Sequence, residues 1–358
     1  MNYVYTSGRT LAAKLSENTY NMANFHTKYL EESEFSYWDS FVKRQPEGKV
    51  FHLSEWLRTI YRFQNPNITT RILICQDKQD NIIGGIAFGS LKKYGVSLIV
   101  PPELSQFWGI LLSDRPTKYY FKNVKYKKEI LETIIGALEK DYQIIDLSIP
   151  PDIYDIRAFV WKGYQQKIRF TYQGVLNDLD QIYEGFDPAL KRQIKKAKKS
   201  NIKVEKGNEQ QRISDLYQLQ FLSLKRQNSN FHFSLEDFLT MVLMIHKRVT
   251  HISFYLAYLS DQPIAGCAVL TYKYTAYYWL AGGKADFFNT GANQMLLWEI
   301  FKDLNRKGIL YFDFVGANTP SIAQYKSSYN FSLIPYYQFR KIIGIWPNLL
   351  LKTKESFL

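Results

Sequence analysis

The sequence predicts a mixed α/β protein in which one pattern of about 165 residues is used twice. Three observations predict it. The stretch "AFVWKGYQQKIRFTYQ" (158–173) lies against "AQYKSSYNFSLIPYYQ" (323–338), pairing Tyr164 with Tyr329, Tyr172 with Tyr337 and Gln173 with Gln338. Upstream, "YQIIDLSIP" (142–150) resembles "ILYFDFVGA" (309–317), with Asp146 opposite Asp313, and "NIIGGIAFG" (81–89) resembles "QPIAGCAVL" (262–270). Third, apolar runs rich in β-formers alternate with amphipathic segments in the same order in both halves, the signature of an internal repeat.

Each half therefore reads as an N-terminal helix, a hairpin of strands, a helix, a strand, a short loop and a final strand. The hairpins are signalled by "DKQDN" between "TRILICQ" and "IIGGIAF" and by "SDQP" between "FYLAYL" and "IAGCAVL", turn-forming residues between strand-like runs. The helices are "KKEILETIIGALEK" and "NQMLLWEIFKDLNRKG", the second closing on a glycine suited to a C-cap. A third helix, "DPALKRQIKKAKKSNIK" (187–203), opens with Asp187 as N-cap and Pro188 at its first position. Leu190, Ile194 and Ala197 share one face of it and leave a broad basic one.

Composition narrows the function. Lys and Arg outnumber Asp and Glu by 46 to 33, and the excess is local: residues 191–203 carry seven positive charges and residues 117–128 five, neither with an acid. Such patches attract anions, whether nucleic acid, nucleotide phosphates or an acidic membrane. The basic helix is either a solvated face or a surface for a polyanion such as a tRNA acceptor stem. Cys75 and Cys267 are the only cysteines, each inside an apolar run, which argues against a disulfide framework and a zinc site. No metal is expected. The N-terminus lacks the apolar core of a signal peptide and no apolar run approaches 18 residues, so a cytoplasmic location is expected. The C-terminal "KIIGIWPNLLLK" is short and broken by Pro347, so it packs on the body or touches a membrane peripherally.

No Walker A loop, GxSxG, HExxH or CxxC occurs, which removes the usual nucleotide hydrolase, serine hydrolase and zinc readings. His246 and His251 flank the end of a helix pattern, where a cation is the ordinary explanation.

From the basic helix "LKRQIKKAKKSNIKVE", through "LKRQ", "DQPIAGCAVL" and "NRKGILYFDFVGAN", to "YKSSYNF", the chain resembles the FemABX-type peptidoglycan bridge-forming aminoacyltransferases and the wider acyltransferases built on the GNAT fold. The resemblance covers most of the chain. It implies two tandem GNAT-like domains, residues 1–167 completed by 336–358, and residues 168–335 carrying the active site. No sustained heptads occur, so the coiled-coil arm of some members has no counterpart.

What the resemblance implies is transfer of an aminoacyl or acyl group to an amine. The first expectation is aminoacyl-tRNA as donor and a UDP-muropeptide as acceptor. The rivals are an acyl-CoA-dependent N-acyltransferase acting on an amino acid or amino sugar, and an inactive relative that binds RNA. Any such transfer develops negative charge, which a preorganised cation must face. The family's aromatic–lysine pair corresponds to Tyr325 and Lys326, which assigns Lys326 to the transition state and Tyr325 to positioning. In the repeat the counterpart of Lys326 is Trp161, so only the second half keeps the cation. A Lys326→Ala change is then expected to lower turnover by on the order of a hundredfold and to leave the melting temperature nearly unchanged. Asp313 either accepts the proton of the attacking amine or has a structural role at a strand end, as Asp146 would. Arg226, Arg58, Arg62 and Tyr278 are the expected acceptor-side residues. On the donor side, Gly291 and Asn293 open a helix whose amides can meet an anion, with Lys195, Lys196 and Lys199 on the basic helix.

Overall fold

The computed structural model describes residues 25–345 and Pro347. The N-terminal stretch read for a signal peptide, and half of the apolar C-terminal stretch, lie outside the described residues. Among the described residues no helix is long and apolar enough to cross a membrane.

In chain order the first series is β1 (His26–Tyr29), α1 (Phe35–Arg44), α2 (Ser54–Gln64), β2 (Thr69–Gln76), β3 (Ile82–Lys93), β4 (Val96–Val100), β5 (Ile110–Leu112), α3 (Tyr120–Asp141), β6 (Ile144–Ile149), α4 (Arg157–Trp161) and β7 (Gln165–Val175). After α5 (Leu179–Gly185) and the basic helix α6 (Pro188–Lys199), the second series runs β8 (Lys203–Gly207), α7 (Gln210–Arg226), α8 (Leu235–Arg248), β9 (His251–Leu259), β10 (Gln262–Tyr272), β11 (Thr275–Gly283), α9 (Ala292–Arg306), β12 (Tyr311–Asp313), α10 (Pro320–Ser327) and β13 (Ser332–Ile342). The repeat is richer than expected, because a short strand and two helices, not one, precede each hairpin.

Local chemistry explains the joints. In the β2–β3 turn Asp77 accepts from the amides of Gln79 and Asn81 and Asp80 takes a positive φ of 61°. The β9–β10 turn puts Ser260 and Asp261 at φ 47° and 64°, the left-handed pair that matches strand twist. Asp187 Oδ1 accepts from Ala189 N, Pro188 opens α6, and Leu190, Ile194 and Ala197 are its buried residues.

Among the described residues all thirteen strands form one sheet in the order β1-β2-β3-β4-β6-β13-β7-β12-β11-β10-β9-β8, with β5 on β3. The final strands of the two series are exchanged. Residues Gln173–Val175 of β7 pair with β12, while Tyr337–Ile342 of β13 pair with β6, and β7 and β13 pair with each other. The exchange accounts for the Asp–Gln match in the repeat, since Gln173 Nε2 donates to Asp313 at 2.8 Å and Gln338 Nε2 donates to Asp146 at 2.9 Å. Each carboxylate sits on one series and is bonded by the strand that crosses from the other.

Among the described residues three large apolar clusters cover the sheet faces, with a small fourth around Val96, Leu98 and Ile144. One lies under α3, one under α6 and α9, and the largest is shared between α1 and α2 of the first series and α7 and α8 of the second. Cys75 and Cys267 are buried and unbridged within this packing.

Candidate active site

Strands β11 and β12 run parallel for only three residues, Thr275–Tyr277 against Tyr311–Asp313. β11 then continues to Gly283, while the chain after Asp313 turns away through Val315 at φ 51° and Gly316 at φ 90°. A β-branched residue in the left-handed region is strained and persists only when its surroundings fix it. Here they do. Val315 N donates to Asp313 Oδ1 at 2.8 Å, Gly316 N to Thr171 Oγ1 at 3.3 Å and Ala317 N to the Phe170 carbonyl at 2.6 Å.

Lys326 closes the turn from the other side. Its ammonium donates to the carbonyls of Phe314 at 2.6 Å and Gly316 at 2.5 Å, and more loosely to Val315 at 3.5 Å. The lysine is not on a loop as the sequence suggests but in the last turn of α10, a helix that Pro320 opens. Its exposure is 6%, and burial lowers its pKa to about 8 against the opposing pull of Asp313 and Cys267. Nζ lies 5.7 Å from the Tyr278 ring and 5.8 Å from that of Phe314. In contrast, its repeat counterpart Trp161 is exposed, with Lys128 and Arg157 over its ring.

Asp313 is 1% exposed, and burial pushes its carboxyl up while bonds from Thr171 Oγ1 (2.6 Å), Gln173 and Val315 N pull it down. Three donors already occupy this carboxylate. Lys326, Tyr325, Tyr278 and Asp313 thus gather around one turn. Tyr325 hydroxyl is 2.9 Å from that of Tyr329 and donates to the Asn293 carbonyl at 3.4 Å, tying α10 to the first turn of α9.

That first turn is closed on its outer side. Gly291 adopts φ 83°, and a Cβ built there would lie 2.1 Å from the backbone carbonyl oxygen of Gln193 on α6. Lys196 donates to the Asn289 carbonyl at 2.7 Å, and Ala292 N is taken by Thr290 Oγ1. The backbone of α6 therefore abuts Gly291 at this helix end. Lys195 and Lys199 stay exposed on the outer face of α6. Beside Tyr325, between α6, α9 and α10, lies a cavity of about 720 Å³ lined by Gln193, Gln294, Gln324 and Ser328. The side-chain oxygens of Gln193 and Gln294 are buried without a hydrogen-bond partner.

The expected acceptor residues do not come together. Arg226 Nη2 donates to the Gly283 carbonyl and Ser223 Oγ, both at 2.8 Å, and pins the end of β11. Arg58 and Arg62 line a separate groove of about 340 Å³ between α2 and α8, where Arg58 pairs with Glu32 and Glu55. His246, whose Nδ1 accepts from Ile252 N, is structural.

Sequence reasoning missed a cavity of about 390 Å³ on the far side of the turn, lined by Trp108, Asp146, Arg169, Trp279, Gly316 and Tyr336. Arg169 donates to Gln338, which donates to Asp146, and Trp279 Nε1 donates to the Leu104 carbonyl. The strands that carry these residues meet only through the exchange, so the matched Asp and Gln of the repeat were the one available signal.

Residues 188–327 match the family model described as an acetyltransferase (GNAT) domain. No curated protein matches the chain in sequence. The domain match and the two-series sheet together give a tandem GNAT-like fold. Within that class the chain is similar to the crystal structure of FemX, with a TM-score of 0.67 at 13% identity over 92% of this chain and 100% of that one. It is similar also to a tandem GNAT protein from the clavulanic acid biosynthesis pathway (TM-score 0.53, 10% identity, 90% and 99% covered). The structure of L-PGS from Bacillus licheniformis is a further neighbour (0.53, 11%, 90% and 96%).

Proposed function

We propose that the chain transfers an aminoacyl group from the ester of an aminoacyl-tRNA to an amine, and that the reaction takes place where β11 and β12 part. The domains proposed are residues 1–167 with 336–358 and residues 168–335, the boundary falling inside exchanged β7. The observation that carries the reading is Lys326, a buried ammonium held against a strained turn whose Val315 and Gly316 line one cavity, while the neighbouring Tyr325 lines another. Of its three donors, the loosest, on the Val315 carbonyl, is the one that can turn to the developing oxyanion. The amine attacks the ester carbonyl and the C–N bond forms; the C–O bond to the ribose breaks with its electron pair leaving on the ribose oxygen, which takes up the proton that the amine gives up. Asp313, bonded by Thr171, Gln173 and Val315 N, is assigned to positioning the turn rather than to taking the proton.

The donor end is assigned to the polar cavity beside Tyr325, and the acceptor to the cavity bearing Arg169 and Trp279. An aminoacyl-tRNA is preferred to a CoA thioester because α6, whose outer face is basic, packs its backbone against Gly291 at the start of α9. The acceptor proposed is a UDP-muropeptide in a cytoplasmic reaction. A second reading, acyl-CoA-dependent N-acylation, draws on the GNAT domain match. A thermal-shift panel with an acceptor-stem RNA, CoA thioesters and UDP-muropeptides separates them, since only a ligand of the native state raises the melting temperature. A shift with CoA thioesters alone would overturn the tRNA reading.

A further inference from the structure

The first series carries an unassigned surface at the N-terminal end of α3. Four large side chains stand in solvent there: Tyr120 is 79% exposed, Phe121 65%, Tyr154 81% and Trp161 63%. Beside Tyr120 and Tyr154 opens a groove of about 560 Å³, with aliphatic walls from Val124, Leu131, Ile153 and Ile156 and the carboxylates of Glu47, Asp114 and Asp152 at its lining. Cations frame it. Lys127 pairs with Asp114, Lys128 with Glu132 and Arg157 with Asp155, while Lys118 and Lys122 face no carboxylate among the described residues and lie over the Tyr119 ring.

We propose that this surface docks on an anionic lipid membrane, with the aromatic residues at the headgroup level and the groove receiving a lipid acyl chain. Each part has its reason. Amphipathic rings with lysines beside them prefer the membrane interface, and basic residues near it are attracted by anionic headgroups. Contiguous exposed apolar side chains of this size are uncommon on a surface that stays in water. An RNA strand would satisfy the lysines and stack on rings, but it has nothing to place in an aliphatic groove. The surface belongs to the first series, so docking is independent of which group the second series transfers.

The test is flotation of the full chain with vesicles of phosphatidylcholine alone and of phosphatidylcholine with phosphatidylglycerol, at low and high salt. The expected result is binding to the anionic vesicles only, weakened by salt. Combining Tyr120→Ser, Phe121→Ser and Tyr154→Ser, or Lys118→Glu with Lys122→Glu, lowers partitioning on the order of tenfold. Because these residues are exposed, thermal melts of the variants are expected to match the parent. Failure to float, equal binding to both vesicle types, or full binding by the folded variants would overturn the proposal. So would binding of an RNA oligonucleotide that both variants abolish while vesicle binding persists.

Discussion

Lys326 meets three backbone carbonyls rather than open solvent, and this changes what its replacement does. The sequence leads one to expect an unaltered melting temperature for Lys326→Ala; the structure corrects that, since the change leaves buried carbonyls unpaired and a cavity behind. Such losses cost roughly 1–3 kcal/mol, so Lys326→Met, which keeps the volume, is the better probe and should melt a few degrees lower while losing on the order of a hundredfold in turnover. The pH dependence has a definite sign. The folded-state pKa of about 8 lies below the ordinary 10.5, so the folded protein releases this proton first. Stability of the parent relative to Lys326→Met should therefore rise from pH 8 towards 10.5, and turnover that depends on the ammonium should fall as pH passes 8. Urea melts and a pH–rate profile check both. The lysine itself was legible in the sequence because its aromatic neighbours and its loss in the first half mark it. Its partners were not, since Val315 in a left-handed conformation contradicts local preference and is imposed by contacts from Thr171, Asp313 and α10.

At the scale of elements, α6 and its caps could be read residue by residue, as could both hairpins. What could not be read is where α6 lies. Nothing local in "GGKADFFNTGAN" tells that a backbone carbonyl of another helix will sit against Gly291. This contact gives a prediction: Gly291→Ala combines a positive φ with a collision against backbone, and should destabilise the protein by about 1–3 kcal/mol. It should also loosen α6, seen as faster amide exchange in residues 188–199. A variant as stable as the parent would mean that α6 is not seated there.

The whole molecule is joined by the exchange of β7 and β13, which the repeat implies only in part. Both strands carry a Tyr-Gln pair and either could have paired within its own series; chain geometry, not local sequence, decides the partner. Because β13 lies between β6 and β7, a chain ending before Ser332 loses the centre of the sheet. Such a truncation should fail to fold in either half, and the intact chain should unfold in one calorimetric transition; two independent transitions would refute that coupling. The measurement that most directly tests the central claim is transfer of labelled amino acid from aminoacyl-tRNA to a UDP-muropeptide by the parent and by Lys326→Met, with labelled acetyl-CoA run alongside. The account predicts amine-dependent transfer from the tRNA ester by the parent, and a rate on the order of a hundredfold lower in the folded variant. Equal rates in the two proteins, or transfer from the CoA thioester alone, would contradict it.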